Sequence, residues 1–219
     1  MPKLPFWCLF MNLSEIENKK IPRGTVTLVG LGRLGIRTGI NLVQIHRGGP
    51  KKIKAIDAQR ISVGDLIFQM LGGKIGMYKV DLLNEFKGIK EVVPVTEYIN
   101  NDNMDLIDGD VVSIQIAGGD TVPLTAKIIK KAWQVGAKTF STAGVFGIGN
   151  EKIRVMDISK ADDTNPVVKA LRKNGIISNH KIITTGKFIR DYEPVTPYVL
   201  DEIARITTQE IIKALKEIK

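Results

Sequence analysis

Apolar positions along the 219-residue chain fall into two kinds of run. Short blocks at residues 25–29, 52–57, 110–116 and 138–142 are apolar with little interruption, as strands become when both faces of a sheet are covered. Residues 91–98 alternate well enough for a further strand, and 152–157 supply a sixth. Between these blocks the spacing changes to threes and fours. Helices are expected over 34–46, over 75–86 and over 121–134, where Leu124, Ile128, Ile129 and Ala132 share one side and Pro123 falls in the first turn. Residues 62–71 have a local helical spacing ended by Gly72 and Gly73, while Gly48, Gly49 and Pro50 mark a turn. Strands alternating with helices through short loops predict an α/β fold with a doubly wound, mostly parallel sheet.

Beyond residue 157 the pattern loosens. A helix at 165–173 and a strand-like stretch at 176–184 precede a last helix from 197 to 219. No repeat or low-complexity linker interrupts the chain. The expected organisation is an N-terminal docking segment (1–22), a core (23–158) and a C-terminal elaboration of the same domain (159–219). Residues 5–11, Pro-Phe-Trp-Cys-Leu-Phe-Met, are apolar but too few to span a membrane, and read equally as a subunit contact or as cover for the core. Ser14-Glu-Ile-Glu17 after them resembles a capping box.

Composition adds two constraints. A net charge of +9 favours anionic partners such as nucleotides or phosphorylated metabolites. Nucleic acid is a weaker choice, because no run interleaves aromatic with basic residues. The single cysteine, Cys8, excludes a disulfide within the chain and any Cys-x-x-Cys zinc site, and no run is apolar enough for a membrane span, so a cytoplasmic location is expected.

The candidate chemistry begins at the first strand. Gly30, Gly32 and Gly35 follow it with the G-x-G-x-x-G spacing, and Asp57 ends the second strand about 20 residues further on. Gly30 permits a sharp turn, Gly32 lets a backbone N–H approach a phosphate, and Gly35 lets helix and strand pack closely. The helix N-terminus offers N–H groups and partial positive charge to an anion, and Asp57 can accept ribose hydroxyls. The string predicts a Rossmann-like nucleotide site. Two further groups point to a triphosphate. The segment Gly76-Met-Tyr-Lys79 opens the helix after the second strand and carries Lys79, and Asp120 follows the fourth strand. Both are expected near the carboxyl ends of the strands, where Lys79 would neutralise phosphate oxygens and Asp120 would hold Mg²⁺. A dinucleotide's internal pyrophosphate needs neither.

On these motifs, residues 23–157 resemble the ThiF/MoeB/HesA family of adenylyltransferases, the adenylation domain shared with ubiquitin-activating enzymes. Gly30 to Gly35 match its glycine loop, Asp57 its ribose aspartate, Gly76 to Lys79 its lysine motif, and Asp120-Thr121 its Asp-Asn pair. The segment Phe140-Ser-Thr-Ala-Gly144 is similar to its following strand, and Lys152-Ile-Arg-Val-Met156 to its returning strand. The resemblance implies attack of a substrate carboxylate on the α-phosphorus of ATP, giving an acyl-adenylate and pyrophosphate. It also implies a homodimer. Residues 61–69 fall on the family's Ser-Asn-Leu-x-Arg-Gln segment with departures: Asp65 replaces the asparagine, Phe68 the phosphate-binding arginine, and Gln59 a second aspartate. Another cation must then serve the triphosphate. Arg33 inside the loop is the leading candidate, with Arg37 and Arg60 nearby. The family's zinc and transfer cysteines are absent from this chain, so the resemblance implies hand-over of the activated acyl group to a separate thiol-bearing acceptor protein.

Within the family the chain is similar to a small, cysteine-poor branch serving synthesis of the iron–guanylylpyridinol cofactor of [Fe]-hydrogenase. That likeness implies the guanylylpyridinol carboxylate as substrate, in a pocket expected among residues after Ser141. Two other readings remain open: an NAD(P)-dependent oxidoreductase, which leaves Lys79 and Asp120 without a role, and a non-catalytic nucleotide-binding scaffold. His46 is expected to serve a helix end and His180 to sit in a loop, while Arg190, Asp191 and Tyr192 carry no assigned role.

Overall fold

A computed structural model describes residues 17–18, 20–116, 118–188 and 192–218. The apolar segment 5–11 with Cys8, the capping box except Glu17, and Arg190 and Asp191 lie outside the described residues.

Among the described residues seven strands form one sheet: β1 (Thr25–Val29), β2 (Lys52–Ile56), β3 (Glu91–Val95), β4 (Val111–Ile114), β5 (Lys138–Thr142), β6 (Arg154–Asp157) and β7 (Lys181–Thr184). Their order is β3-β2-β1-β4-β5-β7-β6. All neighbours are parallel except β6, which pairs antiparallel to β7 with Arg154 opposite Thr184 and Asp157 opposite Lys181. Pro94 is tolerated in β3 because that strand is an edge. The sheet is covered by α1 (Arg33–Val43), α2 (Leu66–Met70), α3 (Lys79–Glu85), α4 (Val122–Gln134), α5 (Pro166–Lys173) and α6 (Pro197–Lys216).

The pleat sorts side chains to two cores. Val26 and Leu28 of β1 face one way, onto Ile36 and Leu42 of α1, Leu82 and Leu83 of α3, and Ile211 of α6. Val29, Val112 and Ile114 belong to the other core with Ile128, Ile129 and Ala132 of α4 and Leu171 of α5. Helix α6, from beyond residue 158, packs along α1, so the C-terminal region contributes to the same layer as the glycine-loop helix. The sequence expected longer elements in several places, among them the helix at 75–86, which is Lys79–Glu85, and the strand at 176–184, which is Lys181–Thr184. Residues 62–71 yield only α2, because Asp65 accepts the Ser62 N–H and hydroxyl and keeps that stretch in a turn. Residues 110–116 yield β4, which stops at Ile114, and the strand expected to Tyr98 stops at Val95.

Chain order fixes where ligands can enter. β1 lies between β2 and β4, so the connections after β1 and β4 leave in opposite directions and open a crevice at the strands' carboxyl ends.

Candidate nucleotide site

Gly30 leaves β1 with φ +92, a conformation that side chains resist, and its N–H donates to the Ile56 carbonyl at 2.9 Å. A Cβ at Gly35 would stand 2.1 Å from the Gly30 carbonyl oxygen, so helix and loop touch backbone to backbone there. Gly32 is the N-cap of α1. It makes no side-chain cap bond, and a Cβ on it would meet nothing within 4 Å. The first turn of α1 carries no acidic residue, which leaves the N-terminal N–H groups in open space suited to an anion.

Asp57 is buried at the end of β2. Its Oδ2 accepts the Leu31 N–H at 2.6 Å and its Oδ1 accepts the Gln59 N–H at 2.7 Å. The carboxylate thus ties the glycine loop to the β2 exit while retaining acceptor capacity on both oxygens. Beside it opens a cavity of about 390 Å³, a size usual for small-molecule sites. Gly30, Gly32, Asp57, Gln59, Gln115 and Thr121 supply its polar wall, and Ile56, Ile99, Ile116, Leu124 and Ile128 an apolar slot. Glu97 and Tyr98 border it.

The expected site residues separate into three groups. Gly30, Gly32 and Asp57 meet at the cavity, with Gly35 packed behind them. Asp120 is exposed in the 3₁₀ turn Gly119–Thr121, next to the cavity-lining Thr121. Lys79 is drawn inward: it is 5% exposed, and its Nζ donates to Gln59 Oε1 at 2.9 Å and pairs with Asp65 Oδ1 at 3.2 Å. The ammonium lies 5.0 Å over the Phe68 ring. Phe68 is fully buried, so the position of the family arginine is core in this chain rather than a phosphate contact. Burial alone would raise the Asp65 pKa, but the bonds from Ser62 and the Lys79 ammonium hold its carboxyl below the ordinary range.

Of the three arginines, Arg60 is stacked on Tyr78 at 3.7 Å and donates to the Gly76 carbonyl, while Arg37 is paired with Asp201 at 2.5 Å. Arg33 is exposed and held only by a 3.4 Å contact to the Gly64 carbonyl, which leaves it the most available. Gln59 and Gln115 were not singled out as cavity residues from sequence. Gln115 is a polar residue inside the apolar run 110–116, and it donates to Thr38 Oγ1 at 3.0 Å and Ser113 Oγ at 3.2 Å. That polar interruption was the available signal. His180 lies in the loop just before β7, as expected, and is wholly buried there.

No protein-family model matches the chain. An uncharacterized protein of Methanocaldococcus jannaschii is 44% identical over 207 residues, covering 94% of this chain and 83% of that protein. The structure of HcgE from Methanothermobacter marburgensis, bound to guanylylpyridinol and ATP, superposes with a TM-score of 0.88 at 52% identity, over 92% of this chain and 99% of that one. The Escherichia coli tRNA N6-threonylcarbamoyladenosine dehydratase TcdA, in complex with ATP, shares the fold, with a TM-score of 0.73 at 17% identity over 88% of this chain and 86% of its own. Sequence and fold together place the chain in the family of HcgE.

Proposed function

We propose that this protein adenylylates the carboxylate of a guanylylpyridinol-type substrate with ATP. The observation that carries the reading is the likeness, over nearly the whole chain, to an HcgE structure holding both ligands, combined with a glycine loop and Asp57 around one cavity here. The cavity fits a nucleoside: an apolar slot for the base and a buried carboxylate for the ribose, beside an uncapped helix N-terminus for phosphate. In this reading Gly30, Gly32 and Gly35 position ATP, Asp57 holds its ribose, Lys79 serves the phosphates and Arg33 stands in for the family arginine.

Among the described residues no cluster of three metal-ligating side chains occurs. Mg²⁺ bound with a nucleotide needs only one or two carboxylates, the rest being phosphate and water, and Asp120 at the rim meets that requirement. The ion would supply positive charge to phosphate oxygens. The substrate carboxylate oxygen attacks the α-phosphorus, the bond to the β,γ-diphosphate breaks, and pyrophosphate leaves with the electron pair. The acyl-adenylate then passes to a thiol-bearing acceptor protein, AMP departing as the thioester forms. An ATP-consuming step of this kind belongs in the cytoplasm, and among the described residues no helix is long and apolar enough to cross a membrane.

Pyrophosphate exchange into ATP that depends on added guanylylpyridinol tests the reading, and Lys79→Ala is expected to weaken ATP binding about tenfold. Tight NADH binding, no exchange and indifference to Lys79→Ala would instead establish an NAD(P)-dependent oxidoreductase. ATP whose α,β bond stays intact through long incubation with substrate and partner would establish a scaffold.

A homodimer is part of the same proposal. Val63, Leu66, Met70 and Ile75 are 77%, 67%, 83% and 62% exposed within one short segment around α2, an apolar patch of the kind that partners cover. Met70→Asp is expected to shift the protein from dimer to monomer in sedimentation. A wild-type protein that sediments as a monomer at every concentration sinks this part.

A further inference from the structure

We infer that Asp65 is an internal competitor of the nucleotide's phosphates for the Lys79 ammonium, a positioning residue that sets how tightly the site holds a triphosphate. The inference rests on the adenylylation reading and deepens it. Lys79 has three N–H donors, and two are directed within the protein, to Gln59 Oε1 at 2.9 Å and to Asp65 Oδ1 at 3.2 Å. Asp65 is itself held: its Oδ2 accepts the Ser62 N–H at 2.9 Å and the Ser62 hydroxyl at 2.7 Å. The carboxylate therefore stands fixed, and the ammonium is the partner that has to shift for a phosphate to gain it. Gln59 forms the other side of the ammonium's cage and also lines the cavity, with its backbone N–H on Asp57.

Charge decides what this arrangement does. Side-chain exposures of 6% for Lys79 and 15% for Asp65 leave little solvent screening between the pair. To a phosphate in the cavity, an ammonium already matched by a carboxylate presents little net charge. A triphosphate gains Lys79 by drawing it from Asp65 or by sharing it. When pyrophosphate leaves, Asp65 takes the ammonium back, so the site never holds a buried, unmatched cation, which is a costly state. Affinity for the triphosphate is traded for easy release of a polyanionic product.

Calorimetric titration of ATP and of adenosine into wild type, Asp65→Asn, Lys79→Ala and the double variant tests the inference. Asp65→Asn is expected to bind ATP roughly tenfold more tightly with adenosine affinity unchanged, and the gain is expected to vanish in the Lys79→Ala background. Asparagine retains an oxygen for the Ser62 donors, and Asp65→Ser carries the same expectation as a second variant; melting curves verify that each is folded. Unchanged or weaker ATP binding in both Asp65 variants overturns the inference, as does a gain that persists without Lys79. Failure of wild type to bind ATP or to exchange pyrophosphate counts against the adenylylation reading instead, so the two failures are distinguishable.

Discussion

Gly35→Ala is expected to lose about 3 kcal/mol or more of folding stability, whereas Gly32→Ala stays within about 1 kcal/mol and loses ATP binding by at least about tenfold. The two glycines share one motif but do different work. A methyl at residue 35 would stand 2.1 Å from the Gly30 oxygen and 3.0 Å from its carbonyl carbon, and backbone atoms do not rotate aside. Gly30 cannot retreat. Its φ is +92, its N–H is bound to Ile56, and a Cβ on it would itself stand 2.9 Å from the Gln115 carbonyl. Relief would require α1 to lift from β1, uncovering Ile36 and Leu42, both fully buried. At Gly32 a methyl meets nothing, so the folded protein accepts it. It would then occupy the space at the α1 N-terminus where phosphate is proposed to lie. Urea unfolding and nucleotide titration of both variants check the pair. Equal unfolding midpoints for Gly35→Ala and wild type would refute the packing argument.

Local signals were legible in the sequence and distant pairings were not. β1, β2 and β5 follow from apolar blocks because each is covered on both faces, and the glycine spacing with Asp57 is local enough to read directly. The antiparallel placement of β6 outside β7 left no signal, since periodicity reports faces and not neighbours. Lys79 reads as part of the opening of a helix expected from residue 75, and the helix begins at Lys79 itself. Its fate depends on Asp65 and Gln59, which reach it through a turn that no period describes. The departures at residues 59, 65 and 68 were visible one at a time in sequence. Only the fold shows them as one cluster, with Phe68 beneath the ammonium and the other two as its partners. The loop position of His180 is legible but its burial is not, for the same reason: its partners Thr139 and Ser141 belong to β5, about 40 positions earlier.

That histidine is expected to make the protein acid-labile in a defined window. The imidazole is wholly buried, with Nε2 2.7 Å from Ser141 Oγ and Nδ1 2.9 Å from Thr139 Oγ1. Burial pushes its pKa down to about 3, with the nearby Asp157 charge opposing that shift only in part. In the unfolded chain it titrates near 6.5. Between those values the unfolded state binds a proton that the native state refuses, so stability falls as pH drops, by up to about 1.4 kcal/mol per unit. Full stability from this source is present above pH 6.5, and the loss levels off below the folded value, summing to about 5 kcal/mol as an upper figure. Asp65, Asp157 and Glu210 also have lowered pKa values, and their stabilising effect is lost only in more acid solution, below their ordinary carboxylate range. Urea unfolding between pH 7 and pH 5 therefore isolates the histidine. A declining midpoint over that range is expected in wild type, with a flatter profile on a lower baseline in His180→Asn. A wild-type profile with no slope there would show that the folded protein accommodates the imidazolium, contrary to the burial argument.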